Sequence, residues 1–224
     1  MEKIMRASKI GFPCDRNIWY SANGNEEVIS GRTQRIFDVG TCLEPLIISW
    51  IKNDGWNVDY NQGSQEAALT VEIPVKGGII SGHPDAFIWH DGNEKNPILI
   101  DVKTMNDRAY TLWKREGTIK KYPQYVDQLH IYAAAFNIWR KQDIEISTLG
   151  VVGMNKNTSD YCYDFFDYDL KRAKEIIHRA GKIFECDDAP EPGERLQSWS
   201  CNYCGFKGLC DFNRNEQDNA GRSE

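Results

Sequence analysis

The sequence predicts one α/β domain, built as a central mixed β-sheet flanked by helices. Its 224 residues are enough for one substantial core but not for two independent ones. Helical and strand periodicities follow each other in the order helix, three strands, helix, two strands, helix. Cysteines near both ends of the chain predict, in addition, a small subdomain that the two ends build together.

The first half of the chain predicts one helix and three strands. Residues 35–52 form the first core helix, since apolar residues recur there at roughly helical spacing and Gly55 lies just past its end. Alternating apolar residues over 68–75, a KGG turn and a second run over 79–89 predict a β-hairpin. After the polar loop DGNEKNP, the segment ILIDVKT predicts a third strand from Ile98.

The second half predicts two helices around two further strands. A long amphipathic helix is expected over 122–140, beginning near Pro123. The segments STLGVVG and YCYDFF predict strands, and a charged helix follows over about 169–185. The chain then becomes a loop-rich cysteine segment, and residues 213–224 are expected to form a disordered tail.

Composition predicts a soluble, cytoplasmic protein. The chain starts without an apolar secretion signal, and no stretch approaches the roughly eighteen continuous apolar residues of a membrane span. The formal net charge of -6 is unusual for a protein that binds nucleic acid, because Lys and Arg supply most of the nonspecific affinity for phosphates. Either the positive charge is local, or a partner helps to deliver the nucleic acid.

Positive charge does concentrate between the third strand and the long helix, with aromatic residues interleaved. This pattern predicts either a groove that holds single-stranded DNA by phosphate contacts and base stacking, or a solvated helical face with a few core aromatics. The residues concerned are Lys103, Arg108, Lys114, Arg115, Lys120 and Lys121, with Tyr110, Trp113, Tyr122 and Tyr125.

Acidic residues in two neighbouring strands predict a metal site. Alternation along ILIDVKT directs Asp101 and Lys103 to the same face, and GHPDAF puts Asp85 in the adjacent strand. Two carboxylates with a backbone carbonyl suit Mg²⁺ or Mn²⁺, because these hard ions prefer oxygen ligands. Such an ion lowers the pKa of a bound water and polarises a phosphate, and Lys103 would orient that water. The structural alternative is a turn cap beside an ordinary surface ion pair.

The seven cysteines favour a metal site over disulfides in a cytosolic chain. Cys201 and Cys204 form a C-x2-C pair, Cys210 follows after five residues, and Cys14 is the best candidate for a fourth ligand. Four thiolates suit either a 4Fe-4S cluster or a structural zinc ion. The other three cysteines do not have the spacing of metal ligands. Cys42 and Cys162 are expected to be buried, and Cys186 either buried or exposed.

The combination of PD, fifteen residues and DVK resembles the signature of the PD-(D/E)XK nuclease superfamily. The resemblance implies a restriction-endonuclease-like core in which Asp85, Asp101 and Lys103 are catalytic. It also implies a metal ion held by Asp85, Asp101, the main chain of Val102 and Glu44.

Two helices carry further parts of this resemblance. Glu44, in GTCLEP, resembles the helix glutamate that supports the metal site in the superfamily. Many relatives have a metal-binding histidine near this position, where this chain has Cys42. In QLHIY, Gln128 and Tyr132 stand four residues apart on one helix face and resemble the QxxxY motif of RecB-type nucleases. The motif implies that they hydrogen-bond the scissile phosphate or the catalytic lysine.

The cysteine layout resembles the iron-sulfur staple of AddB-type helicase-nucleases and of the CRISPR-associated exonuclease Cas four. It implies a 4Fe-4S cluster held by Cys14, Cys201, Cys204 and Cys210, with structural zinc as the alternative. The implied organisation is one nuclease domain over 1–212, with a nuclease core at 35–185 and a cysteine subdomain built from 1–34 and 186–212.

The resemblance implies a Mg²⁺- or Mn²⁺-dependent deoxyribonuclease, an exonuclease that acts on DNA ends, mostly single-stranded. It would serve CRISPR adaptation and antiviral defence together with the CRISPR integrase, or recombination and repair. GTCLEP also resembles the phage recombination exonucleases related to YqaJ and lambda exonuclease. An endonuclease with duplex preference and a non-catalytic DNA-binding or scaffold subunit remain alternatives, and the sequence predicts no oligomeric state.

Overall fold

The computed structural model describes residues 3–60, 69–139, 144–193 and 200–210. The strands among them are β1 Lys3–Arg6, β2 Asn57–Tyr60, β3 Val71–Val75, β4 Gly78–Gly82, β5 Ala86–Trp89, β6 Ile98–Met105, β7 Thr148–Asn155 and β8 Tyr161–Asp167. The helices are α1 Ala7–Ile10, α2 Asp15–Ala22, α3 Gly31–Asn53, α4 Asp107–Glu116, α5 Thr118–Lys121, α6 Pro123–Asn137 and α7 Leu170–Glu185, followed by a 3-10 turn at Ser200–Tyr203.

The strands form one large and one small sheet. The large sheet has the order β2-β5-β6-β7-β8, in which β6 and β7 are parallel and the other neighbours antiparallel. The small sheet has the order β1-β4-β3. Parallel neighbours need a long crossover connection, and α4, α5 and α6 lie in the crossover from β6 to β7. The predicted α/β fold, a mixed sheet flanked by helices, is therefore observed.

Alternation along β6 separates two hydrophobic cores. Leu99 packs into the core that includes residues of α6, α7 and the small sheet, whereas Ile100 and Val102 pack with Ile47 and Ile51 of α3. Each face of the sheet is thus covered by helices, as strands buried on both sides require. The predicted alternation along this strand is confirmed.

Helix α3 begins earlier than predicted. Its first residue is Gly31 rather than residue 35, because the side-chain oxygen of Ser30 accepts a hydrogen bond from the backbone N–H of Thr33 (3.1 Å) and caps the helix. It ends at Asn53, and Gly55 then adopts a φ of +91° that favours glycine.

The predicted hairpin is correct in its turn but wrong in its second strand. β3 and β4 pair antiparallel, whereas the single strand predicted over 79–89 divides into β4 and β5, which belong to different sheets. Pro84 lies in the break and has no backbone N–H to donate to a sheet. Asp85 consequently lies in the loop that enters β5 rather than inside a strand.

The segment between β6 and β7 is more helical than predicted. The long helix is α6, which ends at Asn137, while α4 and α5 were not predicted. In α4, Tyr110 and Trp113 are buried in the core, and Trp113 Nε1 donates to Thr118 Oγ1 (2.7 Å). For these two aromatic residues the second of the predicted alternatives, core aromatics rather than a stacking surface for DNA, is therefore confirmed.

The two ends of the described chain pack against each other. The backbone N–H of Asp15 donates to the carbonyl of Pro192 (2.8 Å), and Arg179 of α7 forms an ion pair with Asp15. The rings of Tyr20 and Phe206 stack with centroids 5.6 Å apart. β1, α1, α2 and β2 are further elements that the sequence did not predict. The predicted tail over 213–224 lies outside the described residues.

Among the residues that the structure describes, no helix is both long and apolar enough to cross a membrane.

Buried His130 predicts a pH-dependent stability. Its Nε2 atom accepts from the backbone N–H of Asp169 (3.0 Å), so the ring proton lies on Nδ1, 2.8 Å from the carbonyl of Val126. Burial, with a contribution from the charge of Arg172, lowers the pKa of His130. Protonation would turn Nε2 into a donor facing another donor.

Because the folded pKa lies below the unfolded value of about 6.5, His130 stabilises the fold above that pH. The free energy of unfolding should fall as the pH drops below about 6.5, no more steeply than about 1.4 kcal/mol per pH unit for one proton. Urea denaturation between pH 5 and 8 measures this slope. His130→Gln should flatten it, whereas the exposed control His83→Gln should not; equal slopes in all three proteins would contradict the assignment.

Candidate active site and cysteine pocket

Asp101 lies on β6, the central strand of the large sheet, and its side chain is only 1% exposed. Its Oδ1 atom accepts a hydrogen bond from Nε2 of Gln128 (3.2 Å). Its Oδ2 atom lies 2.7 Å from Nζ of Lys103, in an ion pair. Within the described part of the chain no other donor is recorded for Oδ2, so this buried oxygen keeps a lone pair available to a further ligand beside Lys103.

Asp85 lies beside Asp101 because it immediately precedes β5, which pairs antiparallel with β6. Its Oδ2 atom accepts a hydrogen bond from the backbone N–H of Val102 (2.7 Å). Burial raises the pKa of Asp85 well above its ordinary value, and the charge of Asp101 raises it further, while Lys103 acts to lower it. Negative charge in this poorly solvated place is therefore undercompensated, and a bound cation would stabilise it.

Lys103 points to the same side of β6 as Asp101, as the alternation predicted. Its side chain is 25% exposed, and Nζ lies 5.0 Å from the centre of the Tyr125 ring. Burial acts to lower the pKa of Lys103, but the charges of Asp101 and Asp85 outweigh it and hold the pKa above its ordinary value. The amine therefore stays protonated at neutral pH and serves as a cation rather than as a base.

Glu44 reaches the same group of charges from α3. It is partly buried, and its carboxylate accepts a hydrogen bond from the hydroxyl of Tyr60. Burial raises the pKa of Glu44, whereas the Tyr60 hydrogen bond and the charge of Lys103 act to lower it. The electrostatic coupling of Glu44 to Lys103 and Asp101 means that the structure brings the predicted helix acid and the strand residues together.

Tyr60, at the end of β2, is a residue of this site that the motifs do not identify. Burial, followed by the charge of Glu44, raises its pKa to about 12, so its hydroxyl stays protonated and donates to the carboxylate. The alternation of Trp56, Val58 and Tyr60 is a signal that could have revealed the strand.

Gln128 and Tyr132 lie on one face of α6, as their spacing predicted. Gln128 Nε2 lies 3.3 Å from the Tyr132 hydroxyl, and the same Nε2 atom contacts Asp101. Tyr132 packs against Gly82, where a Cβ atom would come within 2.9 Å of the ring. The role implied for Gln128 was a bond to the phosphate or the lysine; the observed partner is the carboxylate of Asp101.

These groups have the chemistry of a divalent-cation site. Asp85, Asp101 and Glu44 supply carboxylate oxygens, and Val102 supplies a backbone carbonyl, a donor set that suits Mg²⁺ or Mn²⁺. In the described ranges, however, no three side chains of His, Cys, Asp or Glu are grouped closely enough to hold a metal ion. The donor chemistry, the buried oxygen of Asp101 and the uncompensated negative charge therefore fit such an ion. The spacing of the carboxylate side chains in this structure does not fit one.

The four predicted cysteine ligands line a common pocket. Cys14, 8% exposed, precedes α2, while Cys201, Cys204 and Cys210 belong to the C-terminal segment. Burial raises the pKa of Cys14, and the charges of Cys204 and Cys201 act in the same direction. Four thiols in one pocket fit an iron-sulfur cluster by donor type, although no group of three meets the requirement for a single metal ion in the part of the chain described here.

The remaining cysteines lie elsewhere. Cys42 is exposed on α3, so the expectation that it is a buried apolar residue is wrong. Cys162 was also expected to be buried, but it is only partly buried. Cys186 is partly buried as well.

The basic segment between β6 and α6 combines exposed basic side chains with partly exposed aromatic rings. Arg108, Lys114, Arg115 and Lys120 are exposed, and the partly exposed rings of Tyr122 and Tyr125 lie 5.0 Å apart, beside Lys103. Among the residues of this segment, Tyr125 contacts the candidate site through Lys103, while Arg115 and Lys120 lie beside Glu116.

Neither a protein-family model nor a curated protein matches the chain. Solved structures do. The crystal structure of SSO0001 has a TM-score of 0.58 at 19% identity, covering 94% of this chain and 87% of that chain. The alkaline exonuclease LHK-Exo from Laribacter hongkongensis has a TM-score of 0.54 at 17% identity, covering 80% and 84%, and its complex with dAMP has a TM-score of 0.51 at 18% identity, covering 80% and 85%. At these identities the likeness shows that the fold is shared.

Proposed function

We propose that the chain is a Mg²⁺- or Mn²⁺-dependent deoxyribonuclease, an exonuclease that hydrolyses phosphodiester bonds at DNA ends and prefers single strands. The observation that carries the proposal is the meeting of Asp85, Asp101 and Lys103 at the centre of the sheet, with one buried oxygen of Asp101 available to a further ligand. The shared fold with an alkaline exonuclease, solved also with dAMP, supports it.

The metal ion would be held by Asp85, Asp101, Glu44 and the main chain of Val102. When bound, it supplies a Lewis acid for the phosphate and a water of lowered pKa. Gln128 holds the carboxylate of Asp101 in place, and Tyr60 does the same for Glu44. These outer partners fix the ligand oxygens before substrate arrives.

Lys103 acts on the substrate as a fixed positive charge. Its ammonium group lies beside the carboxylate of Asp101 and against the ring of Tyr125, on the partly exposed side of the site. There it can donate to a phosphate oxygen and offset the charge that develops in the transition state. The charges of Asp101 and Asp85 raise the pKa of Lys103, which favours the protonated form and a role as a cation.

The cysteine pocket is proposed to hold a 4Fe-4S cluster through Cys14, Cys201, Cys204 and Cys210, so that residues 1–34 and 186–212 form one subdomain beside the core at 35–185. Four thiols, buried apolar walls and contacts between the chain ends support this choice. A protein that binds zinc in this pocket would establish the alternative.

The DNA strand is proposed to follow the basic segment. Exposed Arg108, Lys114, Arg115 and Lys120 offer phosphate contacts, and Tyr122 with Tyr125 offer ring faces to bases next to Lys103. The sequence resemblance extends the proposal to work in CRISPR adaptation with the integrase, or in recombination and repair.

The test is cleavage of DNA by anaerobically purified protein. Single- and double-stranded substrates labelled at either end would be incubated with Mg²⁺, Mn²⁺ or EDTA, and product lengths followed with time. Metal-dependent release of nucleotides from an end is expected, faster on single strands. Internal cuts would indicate an endonuclease, and binding without cleavage under any metal would indicate a non-catalytic DNA-binding subunit.

Gln128→Leu should weaken the response of cleavage to metal. Leucine keeps the volume but removes the donor to Asp101 Oδ1. Loss of such an outer partner costs about 10- to 100-fold in metal affinity or activity. Titration of the cleavage rate with Mn²⁺ measures the effect, with Gln124→Leu on the same helix as control. A Gln128→Leu titration that overlays the wild type would refute the positioning role.

A further inference from the structure

Asn17 is a buried polar residue in the cysteine pocket. It lies on α2, three residues after Cys14, and is 2% exposed. The neighbouring walls of the pocket are the rings of Phe12, Tyr20 and Phe206. An amide in such apolar surroundings is unfavourable unless its polar atoms have partners, so its presence needs an explanation.

Asn17 contacts two of the four cysteines. Its side-chain Nδ2 donates to Sγ of Cys204 (3.3 Å), and its backbone N–H hydrogen-bonds the thiol of Cys14. These two cysteines come from opposite ends of the chain. One residue therefore joins the N-terminal and C-terminal halves of the pocket through their sulfur atoms.

Oδ1 of Asn17 and Oγ of Ser200, which directly precedes Cys201, are buried in this pocket without a hydrogen-bond partner among the described residues. Buried polar atoms usually have a hydrogen-bond partner, so these two call for an explanation. The Ser200 hydroxyl is a donor that can rotate toward a sulfur acceptor in the pocket.

We infer that Asn17 is a positioning residue for the iron-sulfur cluster: its N–H groups donate to the cysteine sulfurs and raise the reduction potential of the cluster. Reduction adds negative charge to the cluster and its thiolates, and hydrogen bonds to the sulfurs stabilise the more negative state. The inference rests on the cysteine part of the proposed function and is independent of the nuclease chemistry.

The test compares wild type, Asn17→Leu and Asn17→Asp. Leucine removes the donor at similar volume, and aspartate keeps the shape but cannot donate when ionised. Asn25→Leu is the matched control, because Asn25 donates to the carbonyl of Tyr20 and not to a cysteine. The full chain would be purified anaerobically, its iron and zinc measured, and the midpoint potential determined by dye-mediated titration followed by visible absorption and electron paramagnetic resonance.

Both Asn17 variants should keep their iron and show a lower midpoint potential than wild type and Asn25→Leu. A tenfold fall in the ratio of reduced to oxidised cluster at fixed potential corresponds to about 59 mV for a one-electron couple. Unchanged midpoints in both variants at full iron content would overturn the inference, as would a wild type that holds zinc in place of iron. Cleavage measured on the same samples tests the nuclease separately: a wild type that does not cleave, together with a shifted potential in the variants, defeats only the nuclease proposal.

Discussion

Asp101→Asn is expected to abolish DNA cleavage, by about a thousandfold or more, as when an essential member of a catalytic unit is removed. Asparagine has nearly the same shape as aspartate but no negative charge. It therefore removes a charged metal ligand and the partner of the Lys103 ammonium at once. Release of labelled nucleotides under single-turnover conditions with Mn²⁺ measures the loss.

The fold should survive this change. Removing one of two close carboxylates relieves the repulsion that raises the pKa of Asp85, while Gln128 can still hydrogen-bond the asparagine oxygen. Unfolding temperature and iron content should therefore stay near those of wild type. Asp59→Asn, an exposed acid on β2, is the matched control and should cleave normally. Cleavage retained by Asp101→Asn, in a preparation free of contaminating nuclease, would defeat the assignment of the site.

Cys204→Ser is expected to have the second largest effect, the loss of colour and iron together with a severalfold drop in soluble yield. A serine hydroxyl does not replace the thiolate ligand, and it also disrupts the contact from Asn17. Where a metal centre forms only in the folded chain, its binding free energy is part of the folding free energy. Iron per chain, visible absorption and the thermal unfolding midpoint are the measurements.

Cys42→Ser is the matched control for this experiment, since Cys42 is exposed on α3 and lies outside the cysteine pocket. It should leave colour, yield and unfolding midpoint unchanged. If Cys204→Ser behaves in the same way, the pocket holds no stabilising metal centre, and the contacts between the chain ends alone keep the subdomain folded.

The strand-borne part of the site was predictable because it depends on local periodicity. Side chains two apart on a strand share a face whatever the rest of the fold does, so Asp101 and Lys103 could be paired from the sequence. The spacing of Gln128 and Tyr132 on a helix is equally local. The helices α3, α6 and α7 and the strands β3, β6, β7 and β8 followed from the same two periods.

What could not be predicted depends on contacts between distant segments. The run over 79–89 contains a local signal for a break at Pro84, but only the sheet arrangement assigns β4 and β5 to different sheets. Tyr60 joins the site because β2 pairs with β5, and Trp113 is buried because it packs over Gly153, where a Cβ atom would come within 2.3 Å of the ring. Cys42 is exposed because it lies with Leu46 and Ser49 on the outer face of α3, whereas Leu43, Ile47 and Ile51 face the sheet.

The packing of the chain ends sets an order of events during synthesis. Cys14 leaves the ribosome about 190 residues before Cys204, an interval on the order of 10 to 40 s at about 5–20 residues per second. Over that time α2 has neither Phe206 nor the carbonyl of Pro192 to pack against. The nuclease core can condense earlier, whereas the cysteine pocket closes only after translation has passed Cys210. The thiol of Cys14 therefore waits without its three C-terminal neighbours for the whole of that interval.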